Sequence, residues 1–138
     1  MKIINGEGLL LGRVCSYAAK AALMGEEVKI VNCEKIVISG DKQKVLAQEL
    51  QKRRRRGYPL KSSKLSRLPD RFVRRAVRGM LPFKKERGRL AYKRVMCYPG
   101  LPEEWADKAE TLEKASAKKL PTLKYTTVGE ICRLLRGK

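Results

Sequence analysis

The sequence predicts an α/β fold on a parallel sheet, and three observations carry it. Within the first forty residues, strand, helix and strand follow one another; the strand segments are rich in Val and Ile; and the intervening helix is lined with alanine. A strand, helix, strand unit in so short a span is a parallel βαβ with a right-handed crossover. The length of 138 residues fits one domain, able to bury a core without disulfides or metals.

Lys2 to Asn5 is short and apolar enough for a first strand. A helix follows from about Gly12 to Met24, with Val14, Ala18, Ala21 and Ala22 inward and Gly25 as its C-terminal stop. Val28 to Asn32 and Lys35 to Ser39 are β-branched strands. A second helix begins near Asp41, with Val45, Leu46 and Leu50 inward. From Arg53 to Leu68 neither period survives, which predicts an extended loop facing solvent or RNA. Pro69 suits the first position of a third helix and Asp70 its positive end, and this helix stops before Pro82. A short basic helix over Lys84 to Tyr92 leads to a fourth strand, Arg94 to Tyr98, closed by a turn at Pro99 and Gly100. Thr127 with Glu130 three residues later is a capping-box pattern. It opens a terminal helix whose apolar face is Val128, Ile131, Leu134 and Leu135. The whole of 1–138 is expected as one domain, with 51–94 a basic segment and 103–138 a C-terminal extension ending in that helix.

Thirty-three Lys and Arg against fourteen Asp and Glu leave a net charge of +19, which repels itself unless a polyanion neutralises it. The charge is concentrated. Residues 1–50 hold seven basic and six acidic side chains and residues 95–138 eight and six, whereas 51–94 hold eighteen basic side chains against Asp70 and Glu86 alone. Nucleic acid is the partner such a segment fits.

The chemistry of catalysis is poorly represented. There is no histidine, which removes His-based acid/base work, Ser-His-Asp and Cys-His nucleophiles and His metal ligands. Cys15, Cys33, Cys97 and Cys132 match neither a metal knuckle nor a disulfide framework, and are expected as buried reduced thiols. The turn around Gly6, Gly8 and Gly12 resembles the entrance to a nucleotide fold, but Leu11 stands where the dinucleotide fingerprint needs its third glycine. A tight turn into a helix is the reading left, with Arg13 at its mouth as an RNA or structural contact. An RNA-processing enzyme would need clustered carboxylates; the adjacent pairs Glu26–Glu27 and Glu103–Glu104 read as surface acids. No apolar run approaches the roughly 20 residues that span a bilayer, so a soluble, intracellular chain is expected, with no cofactor, metal, membrane or small-molecule substrate.

The helix from Pro69 carries the strongest signal. At 100° per residue Phe72, Val73, Ala76, Val77 and Met80 share an arc of about 140°, and Arg71, Arg74, Arg75 and Arg78 lie within about 100° on the other side. One face anchors and the other presents planar guanidinium forks suited to phosphate oxygens, with no acid interleaved. Arg53, Arg54, Arg55 and Arg56 with Tyr58, then Lys61, Lys64 and Arg67, form a basic arm in which the ring is placed to stack on a base. A nuclear-localisation run is the competing reading of the arginines, and packing against its own protein that of Tyr58. Lys84, Lys85, Arg87, Arg89 and Lys93 extend the cationic surface, where Gly88 allows close backbone approach.

Several strings together carry a resemblance. Leu11-Gly12-Arg13 before the alanine-rich helix, Val28 to Gly40 (VKIVNCEKIVISG), and Val77-Arg78-Gly79-Met80-Leu81-Pro82 followed by Lys85, Arg87 and Gly88 resemble the large-subunit ribosomal protein family numbered thirteen in the universal scheme. Lys93-Arg94-Val95 through Tyr98-Pro99-Gly100-Leu101-Pro102 is similar to its archaeal and eukaryotic branch. The match spans about residues 2 to 102; Cys33 departs from it, standing where the family usually has alanine. The resemblance implies a three-layer α/β/α fold with a four-stranded parallel sheet and a structural, non-catalytic role. It also implies large-subunit ribosomal RNA and neighbouring large-subunit proteins as partners, in the cytoplasm. Arg78 and its basic neighbours would be RNA contacts, and Gly79 would allow tight packing near the helix end.

Overall fold

A computed structural model describes residues 1–55, 57 and 64–137. β1 (Lys2–Asn5) leads into α1 (Leu11–Leu23) and returns as β2 (Val28–Val31), parallel to β1 with Lys2 opposite Val28 and Asn5 opposite Val31. Gly25, at φ 97°, stops α1 in a conformation that a side chain disfavours. Val14, Ala18, Ala21 and Ala22 are buried as expected, joined by Cys15 and Ala19.

The expected third strand does not join this sheet. After β2, Asn32 turns left-handed at φ 54° and a 3-10 turn over Cys33–Lys35 carries the chain out of the sheet plane. A parallel return needs a crossover of about a dozen residues, and this connection is too short. β3 (Val37–Ser39) pairs instead antiparallel with β6 (Tyr125–Thr127) in a separate two-stranded sheet. The main sheet still has four parallel strands, ordered β4-β2-β1-β5, because β4 (Val95–Cys97) flanks β2 and β5 (Ala109–Glu110) takes the other edge. Flanked by helices, it makes a three-layer α/β/α arrangement.

α2 (Lys42–Arg54) starts where Asp41 accepts a hydrogen bond from the Gln43 N–H, and it includes Arg53 and Arg54, expected in the loop. It has no fully buried residue, and Val45, Leu46 and Leu50 are only half-buried. α3 (Pro69–Met80) has the expected bounds and buries Val73 and Val77, while Phe72 and Ala76 are half-buried. α4 (Glu86–Arg94) then runs into β4. α5 (Val128–Leu135) is capped by Thr127, whose hydroxyl accepts from the Glu130 N–H, and it buries Val128, Ile131, Cys132 and Leu135, with Cys132 in place of Leu134. One core joins α1, α3, α5 and the sheet through Ile4, Val14, Ile30, Val73, Val77, Val95 and Val128. No described helix is long and apolar enough to cross a membrane.

Candidate nucleic-acid interface

α3 positions the charged surface. Val73 and Val77, both fully buried, pin one side of it against α1 and the core. The arginines opposite are therefore held on a rigid element. Arg71, Arg75 and Arg78 are exposed, and among the described residues none of them is ion-paired with an acidic side chain. The Arg78 guanidinium lies 4.0 Å from the centre of the Phe83 ring, a stack that orients the fork and leaves its N–H edges for an anion.

Arg74 is drawn inward. Its Nε donates to the Val95 carbonyl at 3.0 Å, one Nη reaches the Tyr92 carbonyl at 3.5 Å, and the guanidinium stacks on the Tyr92 ring at 4.4 Å. It ties α3 to the α4–β4 junction. Arg53 is likewise committed: one Nη donates to the Glu49 carboxylate at 2.8 Å and the other to the Ser66 carbonyl at 2.8 Å, which joins α2 to the start of α3. Burial pushes the Glu49 carboxyl up, but hydrogen bonds from Lys52 and Arg53 outweigh it and hold the group below the usual carboxylate range. Arg13 donates to the Lys114 carbonyl at 2.9 Å, the structural contact of its two readings, while the residue stays exposed.

Arg54 and Arg55 lie exposed at the C-terminal end of α2, and Lys64 and Arg67 are exposed before α3. Lys84, Lys85, Arg87, Arg89 and Lys93 are all exposed along α4 and its entry. Arg56, Tyr58 and Lys61 lie outside the described residues. Gly88 does permit a close approach, but to its own chain: a Cβ there would fall 2.1 Å from the Pro82 carbonyl oxygen. Gly79 does not show the expected tight packing, since among the described residues a Cβ there would meet nothing within 4 Å. Lys20, which the sequence reading passed over, shares a shallow depression with Arg87 and Met80. Its position on the polar side of α1 gave it no cluster in sequence; the packing of α1 against α3 and α4 supplies one.

The four cysteines are all buried and free. Burial, with a lesser contribution from Cys33, pushes the Cys15 thiol up to about 12, and burial pushes Cys132 up to about 11. Neutral thiols of this kind serve as packing, not as nucleophiles. Among the described residues no three His, Cys, Asp or Glu side chains are grouped to hold a metal ion.

An α/β fold with an arginine-faced helix packed on its core defines a class: basic α/β proteins with a one-sided cationic surface. Comparison with known proteins specifies it. The family model described as Ribosomal protein L13 matches residues 1–104. Large ribosomal subunit protein uL13 of Methanococcus maripaludis is 40% identical over 141 residues, covering 100% of this chain and 99% of its own. The uL13 protein of Methanococcoides burtonii is 42% identical over 140 residues, with 100% and 99% covered, and that of Archaeoglobus fulgidus 42% over 135, with 96% and 86%. The chain belongs to the ribosomal protein L13 family, a family of structural ribosomal components and not of enzymes.

Proposed function

We propose that this chain is a structural constituent of the large ribosomal subunit that binds and organises ribosomal RNA through its basic 51–94 segment. The observation that carries the reading is the exposed row Arg71, Arg75 and Arg78 on a helix anchored by Val73 and Val77. A solvated helix face ordinarily mixes charges of both signs, and this row has no acid within it. Guanidinium forks spaced along a rigid cylinder contact successive phosphates, while Arg54, Arg55, Lys64, Arg67 and the α4 cations widen the footprint. Arg56, Tyr58 and Lys61 belong to the same proposed segment. Neighbouring large-subunit proteins are further partners, and the cytoplasmic ribosome is the place of action.

Phosphate contacts release condensed counterions, so affinity for a large-subunit ribosomal RNA fragment should fall steeply with salt. Changing Arg71, Arg75 and Arg78 together to Gln should flatten the slope of log K against log salt by roughly 0.7 to 0.9 per contact. An unchanged slope removes α3 from the interface. Tagged chain expressed in its own cell should sediment with large subunits through a high-salt cushion; recovery at the top of the gradient rejects the structural reading.

A further inference from the structure

We propose that the groove between α2 and α3 receives a single unpaired RNA nucleotide, its base on the apolar floor and its phosphate at the cationic rim. This rests on the RNA-interface reading and specifies what the interface reads. The groove has a volume of about 540 Å³, within the size range of small-ligand pockets. Leu11, Phe72 and Ala76 supply its apolar side. Phosphate contacts alone give no reason for an apolar floor beneath a row of cations, whereas a base presents a flat π-face that such a floor accommodates.

The rim fits the rest of the nucleotide. Arg71 and Arg75 lie on the same turns of α3 as Phe72 and Ala76, and Arg55 faces them from the end of α2. Arg53, also lining the groove, has a side chain only 7% exposed, and its Nε is buried with no hydrogen-bond acceptor. Glu49 also lines the groove and is ion-paired to Arg53 and Lys52, so the positive rim is that of Arg55, Arg71 and Arg75.

Gly79 closes the argument. It lines the groove one turn beyond Ala76, in the helix itself, where glycine costs stability relative to alanine. Among the described residues nothing outside its own helix lies within 4 Å of its missing Cβ to explain its presence. The bare backbone opens this end of the groove to something from outside. An unpaired base, splayed out of a loop or bulge, is the form in which RNA presents such a face.

The test compares a single-stranded nonauridylate with an abasic ribose-phosphate nonamer of equal length and charge, at one salt concentration. The base-bearing strand should bind at least about fivefold tighter, and in Gly79→Leu, whose Cβ meets no described neighbour and whose side chain is introduced at the groove mouth, the ratio should fall to about 1. Circular dichroism verifies that the variant is folded. In parallel, a 4-thiouridine nonamer should cross-link under near-ultraviolet light to the peptide carrying Phe72. Equal affinity of the two strands for the parent protein overturns the groove and leaves it to an apolar side chain of a neighbouring protein, with the RNA reading intact. A ratio that survives in Gly79→Leu, or cross-links confined to other peptides, places the base elsewhere and also overturns it. Failure of both strands to bind removes the RNA interface itself.

Discussion

Gly79 and Gly88 stand nine positions apart in one basic stretch, and their surroundings make opposite demands. Gly88 sits in the first turn of α4 against the Pro82 carbonyl, at a distance no Cβ tolerates. Gly88→Ala must push backbone against backbone, and should destabilise the fold by about 1–3 kcal/mol or more, read as a lowered urea midpoint. Gly79 has open space and an ordinary helical conformation. Gly79→Ala should raise the same midpoint, by about 0.5–1 kcal/mol of stability, because alanine gives up less backbone freedom on folding. A gain at position 88 or a loss at position 79 would contradict the packing described.

At the scale of the element, α3 divides its arginines between two tasks. Arg74→Gln removes a charged donor from the Val95 and Tyr92 carbonyls and a stack from the Tyr92 ring. It should cost about 1.5 kcal/mol of stability and leave the salt dependence of RNA binding nearly unchanged. Arg75→Gln, at an exposed position, should alter stability by less than about 0.5 kcal/mol and flatten the salt slope; denaturation and binding measured side by side distinguish the two. α2 poses a different problem, since it buries no side chain fully and relies on links at its ends. Asp41 caps one end, Lys42 pairs with Glu130 of α5, and Glu49 holds Arg53 at the other. The Glu49 carboxyl is depressed in the folded state. Its contribution is therefore complete above the ordinary carboxylate pKa of about 4.3 and is lost as pH falls through the lower folded value. The protection of amides in the last turn of α2 against hydrogen exchange, taken relative to the intrinsic rate at each pH, should fall over that acid window, and Glu49→Gln should show the lowered protection already at neutral pH.

The whole molecule separates a neutral, closely packed interior from a surface whose charge is one-sided. Three of the four thiols, Cys15, Cys33 and Cys132, are shifted upward, so native protein at pH 8 should react with a disulfide reagent only on the time scale of unfolding. Four thiols per chain should appear at once in guanidinium. A group whose folded pKa is raised favours the fold fully below its unfolded value and loses that contribution as pH climbs toward the folded one. For Cys15 and Cys132 that places an alkaline loss of stability between about 8.5 and the folded values of about 12 and 11. Rapid modification of a native thiol at pH 8 would show that the core opens more readily than its packing implies.

What the sequence determined by itself is local in origin. The bounds of α3 follow from Pro69 and a clean helical period, the cap of α5 from Thr127 three residues before Glu130, and the stop of α1 from Gly25. The family strings were likewise contiguous, and the family model then matched residues 1–104. Tertiary structure decided which partners each group met. β3 left the parallel sheet because too few residues separate it from β2, and the vacant edge went to Ala109–Glu110, a pair too short to register as a strand from its sequence. Within a run of arginines that look alike in sequence, Arg53 and Arg74 turned inward to carbonyls contributed by other segments, while Arg71, Arg75 and Arg78 stayed outside. A guanidinium's role depends on whether a backbone carbonyl comes within hydrogen-bond reach. That distance is set by how separate elements pack, and no periodicity along the chain encodes it.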